Sequence, residues 1–158
     1  MESPTMISTI NAMGASAAPL PFSELYQGIK TGVVDGAENS AKVFISSRYN
    51  EAGINCFTLT EHTTDQHVLI ANKNWLASLD PKYKRRIEEV AQSIIPKFNS
   101  IWEETTLNAL SQIEEVGVRI NRVEDKTGFL EAVEPVYVNF FKSYPEVPYS
   151  LYQTIKEY

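Results

Sequence analysis

The sequence contains a single cysteine, Cys56, so an internal disulfide is excluded. Apolar residues flank it, and the pattern predicts that Cys56 is a small buried side chain. No apolar run is long enough to span a membrane. The first four residues, Met-Glu-Ser-Pro, lack the basic and apolar regions of a secretory signal peptide. Composition alone therefore permits a cytoplasmic protein.

Positive charge is also scarce in this chain. The 158 residues include 14 Lys and Arg against 20 Asp and Glu, which gives a formal net charge of −6. Nucleic-acid binding depends on neutralising phosphates, so an acidic chain without a Lys/Arg cluster is not expected to bind nucleic acid. Apolar residues at 43% and charged residues at 22% are typical of a globular chain with a substantial core.

Short helices are predicted near the start of the chain. Ser3 followed by a proline is typical of a helix N-terminus, and Gly14 would end that helix. A second helix is expected over about 24–31, capped by Ser23 and ended by the following glycine. A third helix is expected to begin near Asn39, after an Asp-Gly turn.

Strands alternate with helices in the rest of the chain. Residues that favour strands predict them at 54–60 and 68–71, and the alternating pattern of 118–123 predicts a third. A short helix is expected near 74–80, and a later one near 126–142. The interleaved order places the chain in the α/β class.

A long helical pattern runs over residues 81–116. Pro96 interrupts it, and a kink is expected near 92–96. Trp75 and Trp102 are expected in the core rather than at a ligand. Apolar side chains recur every three or four residues and indicate one buried face: Ile87, Val90, Ile94, Phe98, Ile101 and Trp102.

Asn39 is the strongest candidate for a binding residue. It follows a Gly-containing turn and precedes a predicted helix, whose N-terminus favours an anion nearby. An ordinary helix cap is the alternative, since Asn serves well in that position. The two roles are compatible, because capping uses the side-chain oxygen and a ligand can use the amide nitrogen.

Two histidines, His62 and His67, flank a polar loop that also contains Asp65. Their spacing fits no strong metal motif, and neither a metal nor a cofactor is predicted. The sequence has no Gly-rich phosphate loop and no nucleophile elbow, and a Cys56–His62 pair has no local signature of cysteine catalysis. A small intracellular enzyme with a site at 61–67 is one alternative function. An interaction module that docks through the long helix is another.

Two segments in the first quarter of the chain carry a resemblance to a known family. Residues 14–26 read Gly-Ala-Ser-Ala-Ala-Pro-Leu-Pro-Phe-Ser-Glu-Leu-Tyr, and residues 32–39 read Gly-Val-Val-Asp-Gly-Ala-Glu-Asn. Together they resemble the core signature of the solute-binding proteins of TRAP (tripartite ATP-independent periplasmic) transporters. Later segments follow in the family's order, namely 58–62, 74–79 and 115–118. The resemblance covers nearly the whole chain.

The resemblance implies an α/β fold of the periplasmic-binding-protein type. The signature lies in the second half of a typical member, so these residues would form mostly the second lobe, with the first lobe largely absent. Residues 1–64 would belong to the second lobe, and 106–158 would return to it. Residues 65–105 would contain a hinge-crossing strand and the first part of a long, kinked, lobe-spanning helix. The Arg that anchors the ligand in that family would fall about two positions before Met1.

The resemblance also implies a binding site for a small organic acid. Asn39 would contact the ligand carboxylate, and Phe22 would contact the carbon frame of the ligand. The alternative is that Phe22 is a hydrophobic staple, which packs on the helix that follows it. Capture in a cleft between lobes is binding rather than catalysis, so no enzyme activity is expected.

The polar loop and the start of the chain supply the remaining implied site residues. His67, together with Asp65 or Gln66, would tune the choice of ligand, and a solvent-facing loop histidine is the alternative for His67. Glu2 would lie at the edge of the pocket. The implied partners are the organic acid and the TRAP permease, and the implied location is the periplasm. Uncovered sheet edges and apolar faces would favour self-association of this chain.

Overall fold

The computed structural model describes residues 3–64 and 66–156. Glu2 and Asp65, both predicted site residues, lie outside the described residues. The structure is mostly helical with one small sheet, and its elements in chain order are α1 (Pro4–Ala12), α2 (Phe22–Lys30), α3 (Ala41–Ser46), a 3-10 helix (Tyr49–Ala52), β1 (Cys56–Leu59), α4 (Lys73–Ser78), α5 (Pro81–Glu115), β2 (Arg119–Arg122), α6 (Thr127–Ser143) and α7 (Tyr149–Lys156).

The described residues form two compact units, each made of several chain segments. The first unit contains the residues up to Glu38, then Glu51–Ile54, and the residues from Arg122 onward. The second unit contains Asn39–Asn50 and Asn55–Asn121. Helices α1, α2, α6 and α7 therefore belong to the first unit, while α3, α4 and α5 belong to the second.

Helix α1 forms as its terminal residues predict. The Ser3 hydroxyl accepts a hydrogen bond from the Met6 N–H at 3.4 Å, and a proline occupies the first turn. Gly14 follows the helix with φ of +93°, a conformation that a side chain disfavours. The helix packs against α6 within the first unit.

Helix α2 begins two residues earlier than the capping pattern predicts, and the prediction that Ser23 is the cap is wrong. Pro21 occupies the N-cap position, and its carbonyl accepts the Glu24 N–H at 2.9 Å. The proline already fixes φ at −55°, so the chain enters the helix at Phe22 and Ser23 lies in the first turn. The predicted end is confirmed, since Gly32 has φ of +73°.

Two tyrosines and a glutamate link α6 to α7 in the first unit. The Tyr152 hydroxyl donates a short hydrogen bond to the Glu134 carboxylate. This bond, aided by burial and the nearby negative charge, raises the pKa of Tyr152 to about 12. The Tyr152 ring also stacks on Tyr137 with centroids 4.7 Å apart. Tyr152 is thus a buried aromatic residue that joins α7 to α6.

The core of the second unit lies where α3 packs against α5. Phe44 of α3 meets Phe57 of β1 edge-on, with ring centroids 5.3 Å apart. Ile113 of α5 is fully buried at 0% exposure, and Ala109 is buried one turn before it. Burial of these apolar side chains stabilises α3, a helix of only six residues.

The sheet has two strands in the described part of the chain, β1 and β2. They confirm the predictions at 54–60 and 118–123, and the pairing begins where the Arg119 N–H donates to the Asn55 carbonyl at 3.0 Å. The predicted strand at 68–71 is wrong for this chain, because no described strand pairs with it. Ile70 there is 84% exposed. A strand needs a neighbour for its backbone groups, and a favourable composition does not supply one.

Helix α5 is continuous through Pro96 over 35 residues, which is about 50 Å at ~1.5 Å per residue. The expectation of a buried face along its whole length is wrong. Only the end of the helix is buried, and the apolar side chains before it are exposed: Ile87, Val90, Ile94, Phe98 and Ile101. Trp75 of α4 is also half exposed, so it is not a core residue here. The kink near Pro96 stays a prediction.

None of the described helices combines the length and the apolar character needed to cross a membrane.

Candidate functional site

Asn39 is exposed and lies just before α3. The residue that caps this helix is its neighbour, Ser40. The Ser40 hydroxyl accepts the Val43 N–H at 3.4 Å, as an N-cap does. The Asn39 side-chain oxygen accepts the Ser40 N–H at 2.9 Å, which fixes the side chain. Capping is therefore not the role of Asn39. Its amide nitrogen donates no hydrogen bond to any of the described residues, so it is available to an acceptor on a ligand.

Lys42 follows Asn39 by three residues and lies in the first turn of α3. Its ammonium nitrogen is 5.3 Å from the centre of the Trp102 ring, a cation–π distance. In the described part of the chain no carboxylate lies within salt-bridge distance of Lys42. The start of α3 thus presents an amide donor and a positive charge.

His67 is exposed, but its ring contacts two aromatic rings of α5. Its ring centre is 5.5 Å from that of Phe98 and 5.3 Å from that of Trp102. Trp102 contacts both His67 and Lys42, so α5 connects the polar loop with the start of α3. We call Lys42, His67, Phe98 and Trp102 the aromatic–cation cluster. Gln66, beside His67, is exposed.

Sequence reasoning missed three members of the aromatic–cation cluster. Phe98 and Trp102 were expected in the core because their spacing matches the apolar stripe of α5. Lys42 had no signal at all, since a single lysine near a helix start is common. Their association depends on contacts between residues about 60 positions apart in the chain, which no local pattern records.

Phe22 belongs to the first unit. It is the first residue of α2, and its side chain is 63% exposed. It is therefore not packed as a staple on its own helix. Gly28 permits the preceding loop to lie close to α2, because a side-chain carbon there would come within 3.1 Å of Leu20.

His62 and Cys56, the other residues considered for chemistry, each contact a neighbouring side chain. The Nδ1 atom of His62 shares a hydrogen bond of 2.7 Å with the Thr60 hydroxyl. Cys56 is half-buried rather than buried, and Arg119 donates to its sulfur at 3.6 Å. Over residues 3–64 and 66–156, no group of three or more His, Cys, Asp or Glu side chains is placed to hold a metal ion.

Comparison with known proteins identifies the family. The model of the DctP family, bacterial extracellular solute-binding protein family 7, matches residues 1–144. A solute-binding protein of Chromohalobacter salexigens is 34% identical over 147 residues, which cover 93% of this chain and 44% of that protein. The chain belongs to the family 7 solute-binding proteins.

Solved structures show the same relationship. One is a TRAP periplasmic solute-binding protein from Chromohalobacter salexigens with bound D-glucuronate. The two chains are 34% identical and superpose with a TM-score of 0.79, and the match covers 92% of this chain and 48% of that protein. One from Sulfitobacter with bound β-D-galacturonate has a TM-score of 0.78 and 31% identity, with the same coverage. The predicted α/β fold of the TRAP binding-protein type is confirmed. The chain spans about half the length of these relatives, which are binding proteins and not enzymes.

Proposed function

We propose that this chain is the second-lobe half of a TRAP-type receptor that binds a small organic acid and delivers it to a membrane permease. The receptor would act in the periplasm, where its relatives are found. Asn39 would donate its amide to the ligand carboxylate, and Phe22 would contact the carbon frame. The observation that carries this proposal is that the Ser40 N–H holds the Asn39 side chain by its oxygen, while the amide nitrogen donates no hydrogen bond to any described residue.

In the proposed receptor, a first lobe contributes the remaining contacts to the ligand. Residues 1–64 and 106–158 would lie in the second lobe. Residues 65–105 would include the segment that crosses the hinge and the first part of the lobe-spanning helix. Closure of the two lobes over the ligand would be stabilised because the bound acid contacts both. By the family resemblance, an anchoring Arg would fall about two positions before Met1, and Glu2 would lie at the pocket edge.

The exposed apolar surface of the second unit supports a larger assembly of this kind. Ile70 and the first half of α5 expose side chains that soluble monomers rarely leave together in water. In the receptor, the first lobe would cover this surface. The 158-residue chain by itself would use it for self-association.

Ligand binding by the protein encoded by the whole reading frame tests this proposal. A panel of D-glucuronate, D-galacturonate and succinate is titrated by calorimetry, and at least one acid is expected to bind. Asn39→Ala should weaken that binding by roughly 10- to 100-fold, because a hydrogen bond to a charged group contributes about 1.5–3 kcal/mol. The matched control is Asn108→Ala, an exposed Asn on α5, and it should leave the affinity unchanged.

Two results would contradict the proposal. One is a panel in which no acid binds. The other is equal affinity in the Asn39→Ala and Asn108→Ala proteins. Sequencing upstream of the chain gives an independent check, since the proposal requires the anchoring Arg shortly before Met1 and a signal peptide well upstream.

A further inference from the structure

We propose that a basic and aromatic surface at the start of α5 adsorbs the protein to a membrane of anionic lipid. This basic–aromatic patch consists of six exposed residues of α4 and α5: Trp75, Lys82, Tyr83, Lys84, Arg85 and Arg86. The inference goes beyond the proposed receptor function, because it assigns a partner to a surface that takes no part in the proposed acid site.

Cations are concentrated at the start of α5. Four of the five residues from Lys82 to Arg86 are Lys or Arg, although the chain as a whole has a net charge of −6. The expectation of a chain without a Lys/Arg cluster is wrong here. For Lys84 and Arg85, no acidic side chain of residues 3–64 and 66–156 lies within salt-bridge distance. These two charges are therefore available to an anionic partner.

The other two cations of the patch have only weak ion pairs. The Lys82 ammonium is 3.9 Å from the Asp80 carboxylate, and the Arg86 guanidinium is 3.5 Å from that of Glu89. The side chains of Lys82 and Arg86 stay 63% and 74% exposed. Exposed pairs of this kind add little stability and exchange readily for another anion.

The stability of α5 does not explain where its charges lie. A helix N-terminus carries partial positive charge, so cations in the first turns are unfavourable there. The first turn of α5 has no acidic residue, and its last turn has Glu114 and Glu115 but no basic residue. The charges thus oppose the helix dipole at both ends, which favours a role for the cations outside the helix.

Two exposed aromatic rings favour lipid over an acidic protein surface as the partner. Trp75 is 50% exposed and Tyr83 is 57% exposed, and the Lys82 ammonium lies 4.8 Å from the centre of the Tyr83 ring. Only Leu79 and Asp80 separate α4 from α5, so Trp75 lies at most roughly 16 Å from the start of α5. Trp and Tyr rings favour the lipid–water interface, while adjoining cations meet the anionic headgroups.

The basic–aromatic patch is separate from the surface that the proposed first lobe would cover. The exposed apolar side chains of α5 begin at Ile87, and the patch ends at Arg86. A complete receptor can therefore use both surfaces at once.

Flotation of the whole-reading-frame protein with lipid vesicles tests the inference. Vesicles of phosphatidylcholine with about one quarter phosphatidylglycerol should carry the protein, and vesicles of phosphatidylcholine alone should not. Added salt should release the protein, because it screens the charges. The patch variant combines Lys84→Gln, Arg85→Gln and Arg86→Gln. It should lower partitioning into the anionic vesicles roughly 100-fold, since each cation near such a surface contributes a factor of roughly 5.

A matched control removes the same charge elsewhere. It combines Lys30→Gln, Arg122→Gln and Lys142→Gln, which are exposed cations outside the patch. Its partitioning should stay within about 2-fold of the parent value, because the cations that contact lipid are unchanged. Circular dichroism of both variants checks that the fold is retained.

Tryptophan emission provides the second arm. Anionic vesicles should shift the emission of the parent protein to shorter wavelengths, because the Trp75 indole leaves water. The shift should be lost in Trp75→Phe and retained in Trp102→Phe. A shift that depends on Trp102 and not on Trp75 would contradict the patch.

The outcomes separate this inference from the proposed function. Equal vesicle binding by the patch variant and its control would overturn the lipid surface. It would also be overturned if the parent binds no anionic vesicle and the patch variant fails to dock on detergent-solubilised permease, since the partner is then an acidic protein surface. The patch variant should bind organic acids with unchanged affinity in calorimetry. Vesicle binding without binding of any acid would support the patch and overturn the receptor function alone.

Discussion

Replacing two isoleucines of α5 by alanine should give opposite results, because one is buried and the other is not. Ile113 is 0% exposed, and Ile101, on the same helix, is 53% exposed. Truncation of a buried Ile to Ala typically costs about 2–5 kcal/mol, and complete burial places Ile113→Ala near 4 kcal/mol. Ile101→Ala should change the free energy of unfolding of the 158-residue chain by less than about 0.5 kcal/mol.

Chemical denaturation of this chain measures both values. A loss of about 4 kcal/mol is a large fraction of the total stability of an ordinary domain, so Ile113→Ala should shift the urea midpoint strongly. The dependence of the unfolding free energy on urea concentration (the m-value) should not change, since both variants expose about the same surface area on unfolding. Equal destabilisation by the two substitutions would refute the buried and exposed assignment of α5.

The same pair distinguishes the chain from the proposed receptor. If a first lobe covers the exposed apolar side chains of α5, Ile101 becomes buried in the whole-reading-frame protein. Ile101→Ala should then cost about 1–2 kcal/mol more there than in the 158-residue chain. If Ile101→Ala costs the same in both proteins, the first lobe does not cover Ile101, and the exposed apolar side chains of α5 have another role.

Three further predictions concern the cap, the tail and the exposed surface. Ser40→Ala should lower the free energy of unfolding by about 1 kcal/mol and Ser40→Asn should restore it, as measured by urea denaturation; equal stability of all three proteins would contradict the cap. Because the pKa of Tyr152 is raised from its ordinary value of 10.0 to about 12, its contribution to stability is complete below pH 10 and is lost as the pH rises towards 12. Comparing Tyr152→Phe with the parent at pH 9 and pH 11 should therefore show the stability difference shrinking at the higher pH, and a constant difference would refute the role of the Glu134 bond. The 158-residue chain should enhance the fluorescence of the dye ANS and self-associate in sedimentation experiments. A monomeric chain that does not enhance ANS fluorescence would contradict the exposed apolar face.

Local signals in the sequence predicted the helices well. Ser3 and Gly14 bound α1, and the short-range geometry that they require does not depend on the rest of the chain. The same is true of Gly32 after α2. Ser23 shows the limit of such rules, because the fixed φ of Pro21 starts the helix two residues early.

Features that depend on distant partners were not predictable from local pattern. Residues 68–71 have the composition of a strand and no described strand to pair with. The stripe of α5 has helical spacing, yet burial is decided by what lies opposite each side chain. Trp102 joins His67 and Lys42 through a tertiary contact, so its pattern alone could not separate a core residue from a binding surface.

The candidate site was predicted in part. The resemblance supplied Asn39 and His67, and the structure shows that the His67 ring contacts Trp102, over whose ring Lys42 lies. Phe22 is exposed at the start of α2. Their contact with a ligand stays a prediction, as does the role of Gln66.

The side-chain amide resonance of Asn39 gives the most direct measurement of the central claim. In the 15N-labelled whole-reading-frame protein, it is assigned by its loss in Asn39→Ala and followed while D-glucuronate is added. The account predicts a saturating shift with the calorimetric Kd, while the side-chain amide of Asn108 does not move. A resonance that stays fixed at saturating ligand would contradict the claim that Asn39 holds the carboxylate.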